Sequence, residues 1–277
     1  MAHQMTKHGI VPKSLIVIHT PPRTGSSAMV QFIRSNVGDQ CTVIRVHYLL
    51  AQRNGGYGSR NKKTIRRYDK KDWAVIHLAR DVIARNLSAF WSFFYFRNRI
   101  TSGEPELSTF EGRFLEELDH LSGASFIKDE IEPFWRIEIM ANRFQPPYTV
   151  YGDQVAILRY EDFDCKNDLL RDFLGAEPNI EPPIIHCSGD AGDANDYKVI
   201  LDTIRLPVEY VNLMYDTPYM RTFYSEEEIS VLKERWTEGT KADHPIIQKP
   251  EAIRNVHNPE TCPACQKGTK RREESGL

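Results

Sequence analysis

The chain has 277 residues, of which 40% are hydrophobic, and its 36 basic and 38 acidic side chains give a net charge of −2. This length fits one large α/β domain, and the balanced charge argues against a protein devoted to nucleic acid or to a membrane surface, so any anion site must be local. No stretch approaches the roughly 20 apolar residues that span a bilayer, and the early apolar run at 15–18 is too short for a signal peptide. We therefore expect a cytoplasmic protein without a membrane span.

Apolar periodicity and turn residues divide the chain into short strands and helices. In the first part the predicted elements are a buried strand at 14–19, a helix at 26–36, a strand at 42–48, an exposed and mobile loop at 52–72, a strand at 73–78 and an aromatic-rich helix at 82–96. In the second part they are a helix opened by a capping box of Ser108 and Glu111, a helical stretch at 126–140 broken or kinked by Pro133, a hairpin of strands 148–151 and 155–159, and a short helix at 169–174 that ends at Gly175. A loop at 176–196, helices at 197–203 and 208–215 and a last helix from Ser225, capped by Glu228, complete the pattern.

The alternation of strands and helices in the first half is typical of a layered α/β fold with a central parallel sheet. Ligands of such sheets bind at the carboxyl ends of the strands, so we expect the loops after Ile18, Val46 and Leu78 to meet at one site. The pattern fades near the C-terminus, which predicts a single domain over 1–236 and a partly irregular tail over 237–277.

The first of these loops has the composition of a phosphate cradle. Residues 21–27 read Pro-Pro-Arg-Thr-Gly-Ser-Ser and lead into a helix, whose first N–H groups can bind phosphate oxygens. Gly25 lets the backbone approach closely, whereas Ser26 and Ser27 add hydroxyl donors. Arg23 adds a cationic fork. The alternative is an ordinary turn with a serine cap. The loop is not a Walker A motif, because the required earlier Gly and following Lys are missing.

The third strand and the helix after it predict a second anion site. Arg80 ends that strand, and Ser88 follows eight residues later, so that both could grip one phosphate. Two phosphate sites on adjacent loops suit a nucleotide with separate 3′ and 5′ phosphates. The alternative is that Arg80 forms a surface ion pair with Asp81 and that Ser88 is a small packing residue.

Together these segments resemble a known superfamily. Residues 22–27 resemble the 5′-phosphosulfate-binding loop of sulfotransferases that use 3′-phosphoadenosine-5′-phosphosulfate (PAPS), and residues 80–88 resemble their 3′-phosphate-binding strand and helix. Residues 158–162 resemble a third segment of that superfamily. Within it, residues 83–90 and 220–229 are similar to bacterial sulfotransferase-like proteins assigned to capsular polysaccharide synthesis.

The resemblance, which covers residues 14–236, implies a P-loop-like three-layer fold of sulfotransferase type. It implies an enzyme that transfers the sulfonate group of PAPS to a hydroxyl of a carbohydrate or small alcohol, with no metal required. The implied nucleotide site consists of Arg23, Thr24, Gly25, Ser26, Ser27, Arg80 and Ser88. Many relatives carry Lys where Arg23 stands and Pro where Val82 stands; the first departure keeps the charge, and the second is a minor change at a helix start.

The loop after the second strand contains a candidate base. Cytosolic sulfotransferases carry a Lys-Thr-His segment in a similar place, and the resemblance implies for His47 the role of their catalytic histidine. The acceptor hydroxyl must lose its proton as it attacks sulfur. A His side chain, with an unshifted pKa of about 6.5, is suited to accept that proton at neutral pH. The alternatives are His19, His77 and a carboxylate such as Glu130. Arg23 is expected to stabilise the charge on the bridging oxygen as sulfur departs.

Candidate acceptor-binding features surround this site. Aromatic residues crowd the helix after Ser88, at Trp91, Phe93, Phe94, Tyr95 and Phe96. Most of these rings are expected in the core, and some could wall an acceptor pocket. Residues 52–72 and 97–147 are candidate lids. The basic stretch at 60–67 could attract an anionic acceptor, or it could be ordinary solvated surface.

The five scattered cysteines indicate free thiols in a reducing compartment. Cys262 and Cys265 form a lone Cys-x-x-Cys with His257 upstream. A structural zinc site needs four ligands, and His186 or Cys187 would have to complete it. We expect no metal, with such a zinc site as the alternative.

Two other functions stay open. A divergent P-loop kinase or phosphotransferase would bind a Mg²⁺-nucleoside triphosphate, although the missing Gly and Lys oppose it. A non-catalytic nucleotide-binding protein on the same fold would bind the nucleotide and act on no acceptor. Neither the acceptor nor the oligomeric state follows from the sequence.

Overall fold

The computed structural model describes residues 14–50, 57–101, 109–180 and 191–237. Its strands are β1 Leu15–His19, β2 Thr42–Val46, β3 Trp73–Ala79, β4 Tyr148–Tyr151 and β5 Val155–Arg159. Its helices are α1 Ser26–Val37, α2 Tyr57–Ile65, α3 Val82–Thr101, α4 Phe110–Glu117, α5 Ser122–Phe126, α6 Glu132–Trp135, α7 Lys166–Asp168, α8 Ala191–Thr203, α9 Val208–Tyr215, α10 Pro218–Phe223 and α11 Glu226–Thr237. There are 3₁₀ turns at Gly38–Gln40, Lys70–Asp72 and Tyr160–Cys165, and π-helical turns at Ile127–Ile131 and Leu169–Phe173.

The strands of the described residues form one sheet in the order β2-β1-β3-β5-β4. β1 is parallel to β2 and β3, and β3 is parallel to β5, whereas β4 pairs antiparallel with β5. In register, Val17 of β1 lies between Ile44 of β2 and Val75 of β3. The carboxyl ends of β1, β2 and β3 therefore reach the same edge of the sheet. The predicted parallel sheet and the predicted hairpin are both confirmed.

The sheet is buried on both faces because its strands carry apolar side chains at successive positions. Leu15 and Val17 of β1 belong to one buried cluster, which also contains residues of α3 and α9. Ile16 and Ile18, which point to the opposite face, belong to a second cluster with residues of α1 and of the π turn at 169–173. Helices thus cover both faces, as expected for a layered α/β fold whose central strands are continuous apolar runs.

Part of the segment predicted as an exposed, mobile loop is helical. α2 and a 3₁₀ turn occupy 57–65 and 70–72, and residues 51–56 lie outside the described part of the chain. Ile65 at the end of α2 is 1% exposed, and the Tyr68 hydroxyl lies 2.7 Å from Thr42 Oγ1. The prediction was wrong for α2 and the 3₁₀ turn, because the burial of Ile65 and the tertiary contact of Tyr68 outweigh a local composition rich in Gly and Lys.

The helical stretch predicted at 126–140 ends earlier, at Trp135. Arg136 adopts a left-handed conformation with φ 57°, and the Glu132 carboxylate accepts hydrogen bonds from the Ile139 and Met140 N–H groups at 2.6 and 2.8 Å. Pro133 does not break the helix. A π-helical turn precedes it instead, which accommodates the missing N–H and the bulk of the proline ring.

Two features of the C-terminal helices differ from the prediction. α8 begins at Ala191, six residues before its predicted start, and 181–190 lie outside the described residues. α10 was not predicted, although its start carries a recognisable pattern. Thr217 Oγ1 accepts a hydrogen bond from the Met220 N–H at 3.4 Å, and Pro218 occupies the first helical position, where its missing N–H costs nothing.

Of the three predicted helix caps and ends, two are confirmed and one lies outside the described residues. In α11, Ser225 and Glu228 form the predicted capping box, with reciprocal hydrogen bonds of 2.7 and 3.2 Å. Gly175, with φ 66°, follows the turn at 169–173 as predicted. Ser108 lies outside the described residues, and α4 starts after Thr109 without a side-chain cap. Among the described helices, none has the length and apolar character needed to cross a membrane.

Candidate functional site

The loops after β1, β2 and β3 meet as predicted. The Thr20 N–H donates to the Val46 carbonyl at 3.2 Å, and the Thr20 hydroxyl lies 3.1 Å from the Leu78 carbonyl. His47 Nδ1 lies 2.8 Å from the Thr20 carbonyl. Thr20 therefore joins the ends of three adjacent strands and holds the phosphate loop, residues 21–25, against its two neighbouring loops.

The phosphate loop curls tightly before α1. Arg23 and Gly25 both have positive φ, at 71° and 85°. The Thr24 hydroxyl donates to the Pro21 carbonyl at 2.9 Å and lies 2.5 Å from the Thr20 hydroxyl. Thr24 therefore braces the loop from within.

The N-terminus of α1 has the features of an anion site. Its N-cap is Gly25, no side chain caps its N–H groups, and its first turn contains no acidic residue. Partial positive charge at such a terminus favours an anion, and a carboxylate there would oppose one. Ser26 is buried, and the Ser27 hydroxyl accepts a hydrogen bond from Arg45 Nη1.

Gly25 is also required by close packing. A Cβ atom at this position would lie 2.6 and 2.7 Å from ring carbons of Tyr160. The same ring has the Arg80 guanidinium stacked above it, with 4.5 Å from Cζ to the ring centroid. Tyr160 therefore links the phosphate loop to the end of β3. From the sequence, Tyr160 belongs to the segment 158–162 that resembles the sulfotransferase superfamily, but its role in packing on Gly25 was not predicted, since a Tyr at a strand end has no distinctive spacing.

The structure brings together the arginines and serine that were predicted to bind two phosphates. Arg23 Nε donates to Ser88 Oγ at 3.3 Å, and Arg80 Nη1 donates to the Arg23 carbonyl at 2.6 Å. Two guanidinium groups from neighbouring loops thus occupy one small region beside the N-terminus of α1. Within the described residues no carboxylate forms an ion pair with Arg80, so its charge is available to an anion.

The alternative in which Asp81 forms a surface ion pair with Arg80 is wrong. Asp81 is 2% exposed and accepts hydrogen bonds from the Tyr215 hydroxyl at 2.8 Å, the Trp236 Nε1–H at 3.3 Å and the Ile83 N–H at 2.9 Å. Its burial raises the pKa of the carboxyl, and these donors partly oppose that shift. Asp81 therefore anchors α3 and α11 from inside the core.

Two tyrosines that the sequence analysis missed shape the second anion position. The Tyr219 hydroxyl accepts from the Arg80 N–H at 2.9 Å and donates to the Arg80 carbonyl at 3.1 Å, which fixes the backbone at the end of β3. Burial raises the pKa of Tyr197, and the charges of Arg80 and Arg23 lower it. The Tyr197 hydroxyl is buried beside this cluster, next to Ser88. It is therefore a further donor for an anion held there.

His47 is held in the tautomer that a base requires. Because the Thr20 carbonyl can only accept, His47 Nδ1 carries the proton of that 2.8 Å hydrogen bond, and Nε2 keeps its lone pair. Burial lowers the pKa of His47; the hydrogen bond to Thr20 opposes this shift, and the charges of Arg45 and Arg85 add to it. His47 is therefore neutral at pH 7, with a nitrogen able to accept a proton.

The alternative bases are engaged elsewhere. Trp135 Nε1–H donates to His19 Nδ1 at 2.9 Å, so the proton of neutral His19 sits on Nε2, which has no partner within hydrogen-bonding distance. His77 is 1% exposed and donates through Nδ1 to the His19 carbonyl at 2.9 Å. Glu130 Oε2 accepts from the N–H groups of Leu49 and Leu50, each at 2.8 Å. The contacts of Glu130 support the loop after β2, and of the three candidate histidines only His47 is partly exposed.

The aromatic helix α3 is mainly core. Trp91 and Phe94 are 2% and 0% exposed, whereas Phe93 is 49% exposed. The side chains of Tyr95 and Phe96 lie outside the described part of the structure. Of the three described rings, two therefore lie in the core, as was expected of most of them, and one is exposed.

Two arginines of the basic stretch lie at the opposite edge of the sheet from this site. Tyr68, just after α2, contacts Thr42 at the first residue of β2, which lies at the opposite edge of the sheet. Arg66 and Arg67 are exposed and precede Tyr68 directly. These two arginines therefore lie near the amino end of β2, whereas the phosphate loop follows the carboxyl end of β1.

Among the described residues, no group of three or more His, Cys, Asp and Glu side chains could hold a metal ion. Cys41 and Cys165 are free thiols. The residues named for a zinc site, His186, Cys187, His257, Cys262 and Cys265, lie outside the described ranges.

Comparisons of the chain with protein-family models, with curated proteins and with solved structures found no match.

Proposed function

We propose that this protein is a sulfotransferase of P-loop-like fold that transfers the sulfonate group of PAPS to an acceptor hydroxyl, of a carbohydrate or another small alcohol. The observation that carries the proposal is the cluster of Arg23, Arg80 and Ser88 at the uncapped N-terminus of α1. It offers cationic and hydroxyl groups from two adjacent loops. PAPS carries two separate anionic groups, its 3′-phosphate and its 5′-phosphosulfate, that such groups would bind.

In this proposal the 5′-phosphosulfate lies on the phosphate loop. The N–H groups of Ser26 and Ser27 at the start of α1 would bind its phosphate oxygens, and the bend at Gly25 would allow the close approach. Arg23 would stabilise negative charge that develops on the oxygen between phosphorus and sulfur. Thr24 contributes by bracing the loop, since its hydroxyl already bonds the Pro21 carbonyl.

The 3′-phosphate would lie on the other side of the cluster. Arg80 would bind it as a planar cationic fork, and Ser88 and the neighbouring Tyr197 hydroxyl would add hydrogen bonds. The stacking of Arg80 on Tyr160 limits the conformations that the guanidinium must give up on binding. Bidentate recognition by such a preorganised group explains why Arg rather than Lys suits this position.

His47 would act as the base. The acceptor oxygen forms a bond to sulfur while the bond from sulfur to the bridging oxygen breaks, and that oxygen leaves with the electron pair on 3′-phosphoadenosine 5′-phosphate (PAP). The acceptor proton passes to His47 Nε2, whose lone pair is kept free because Nδ1 donates to Thr20. Each of these groups belongs to the chain, the donor or the acceptor, and the transfer needs no metal.

The test is calorimetric titration of the full chain with PAP in the absence of metal. We expect binding in the micromolar range or tighter, weakened about 10- to 100-fold in Arg23→Ala and in Arg80→Ala, because each removes charge-assisted hydrogen bonds. Arg66→Ala is the matched control, since Arg66 is exposed at the opposite edge of the sheet. It should bind PAP like the wild type.

The same titration separates the alternatives. A folded protein that ignores PAP and binds Mg²⁺-ATP would be a divergent kinase or phosphotransferase, and the sulfotransferase proposal would fail. A protein that binds PAP and PAPS but transfers sulfonate to none of a panel of carbohydrate and alcohol acceptors would be a non-catalytic nucleotide-binding protein.

A further inference from the structure

Arg85 is a buried cation within reach of the phosphate loop. It lies on α3, is 6% exposed, and donates through Nε to the Pro22 carbonyl at 3.4 Å and through Nη1 to Asn86 Oδ1 at 2.7 Å. A Cβ atom on Gly123 of α5 would lie 2.5 Å from Arg85 Nη1, so α5 packs directly on the guanidinium. Asn86 in turn donates to the His120 carbonyl at 2.9 Å. The guanidinium is therefore held on three sides.

Among the described residues, no carboxylate forms an ion pair with Arg85. The hydrogen bonds of its side chain to Pro22 and Asn86 both go to neutral oxygens. Burial lowers the pKa of Arg85, and the charges of Tyr48, Tyr219 and Asp119 oppose this shift. Burying a cation beside neutral groups is costly, and such a group gains most when an anion binds to it.

Arg85 contacts the phosphate loop from α3. Ser88, one helical turn further along α3, contacts Arg23, while Arg85 contacts the first half of the same loop at Pro22. His47 Nδ1 lies 2.8 Å from the Thr20 carbonyl, two residues before the Pro22 carbonyl that Arg85 contacts. Arg85 and His47 therefore contact neighbouring residues of the segment that leads into the phosphate loop.

From this placement we infer that Arg85 binds the sulfonate group of the donor and stabilises its oxygens during transfer. The inference rests on the proposed function, in which sulfur passes from the bridging oxygen at the phosphate loop to an acceptor oxygen beside His47. The three non-bridging oxygens stay on sulfur throughout and carry negative charge in the transition state. A fixed guanidinium in a dry site offsets that charge without having to reorganise.

The experiment compares the binding of PAP, which lacks the sulfonate, with the binding of PAPS. In Arg85→Gln we expect the Kd for PAPS to rise about 10-fold or more and the Kd for PAP to change less than about threefold, because only PAPS meets this guanidinium. Arg80→Gln is the matched control, since it acts on the 3′-phosphate that both nucleotides carry. It should weaken both to the same extent. Arg85→Lys, which keeps the charge, should lose less affinity for PAPS than Arg85→Gln.

Because Arg85 is buried, the variants are first checked by thermal unfolding. If they do not fold, the wild-type chain labelled with ¹⁵N-arginine provides the test, since PAPS should shift one Arg Nε–H resonance that PAP leaves in place. Equal effects of Arg85→Gln on the two nucleotides, or no resonance that distinguishes them, would overturn the inference and leave the proposed function intact. A wild-type chain that binds neither nucleotide would instead overturn the proposed function itself.

Discussion

Gly25→Ala should damage the site in two separable ways. At φ 85° an Ala residue costs about 1–2 kcal/mol, because its Cβ crowds the backbone in the left-handed region. The new Cβ would also lie 2.6 Å from a Tyr160 ring carbon, so the ring must move outward from its position under Arg80. Losing that cation–π contact costs about 0.5–1 kcal/mol more at a partly exposed site. The sum is about 2 kcal/mol.

A cost of this size lowers the melting temperature by roughly 4–8 °C for a domain of 150–250 residues, which thermal unfolding resolves easily. Gly152→Ala is the matched control. Gly152 also has a positive φ, of 59°, but nothing lies within 4 Å of its added Cβ, so this variant measures the backbone cost alone. In a Tyr160→Ala background, the cost of Gly25→Ala should fall to that of Gly152→Ala.

Gly25→Ala should also weaken PAP binding about 10-fold or more, because both the loop and Arg80 are displaced. If Gly25→Ala melts like the wild type and binds PAP normally, the argument that this glycine is required by the Tyr160 contact is refuted. If it destabilises no more than Gly152→Ala, the backbone part of the argument survives and the contact part does not.

Three further predictions concern groups around the site. Burial lowers the pKa of His77 to about 4, so the folded protein binds fewer protons than the unfolded chain between about pH 6.5 and 4 and loses stability as the pH falls through that window. His77→Asn, whose amide can still donate to His19, should reduce this loss in acid-induced unfolding; an unchanged pH dependence would contradict it. Glu130→Gln should weaken the hydrogen bonds to Leu49 and Leu50 and lower kcat at least fivefold through the position of His47, with little change in PAP affinity by calorimetry. Asp81→Asn should lower the free energy of unfolding by about 1–3 kcal/mol in urea, because an amide oxygen cannot accept all three of its hydrogen bonds, whereas Asp153→Asn on the exposed hairpin turn should have almost no effect.

Local patterns were sufficient for the elements that the sheet requires. The continuous apolar run of β1 predicts a strand buried on both faces, and the reciprocal pair Ser225 and Glu228 predicts the start of α11 from four consecutive residues. Local patterns failed to predict an element whose formation depends on a contact that is distant in sequence. α2 forms because Ile65 is buried against the core, and no local pattern at 52–72 records that contact.

By itself the sequence determined that strands alternate with helices and that Arg23, Gly25 and Arg80 stand at strand ends, because periodicity and turn chemistry depend on near neighbours in the chain. Only the tertiary structure separates the three histidines, of which His47 is the base in the proposed function. His47 and His77 each donate through Nδ1 to a backbone carbonyl, so burial and not the tautomer distinguishes them: His47 is half-buried, whereas His77 is 1% exposed. His19 is fully buried and accepts from Trp135. Burial and hydrogen bonding depend on partners that are remote in sequence, and those partners become neighbours only when the sheet assembles.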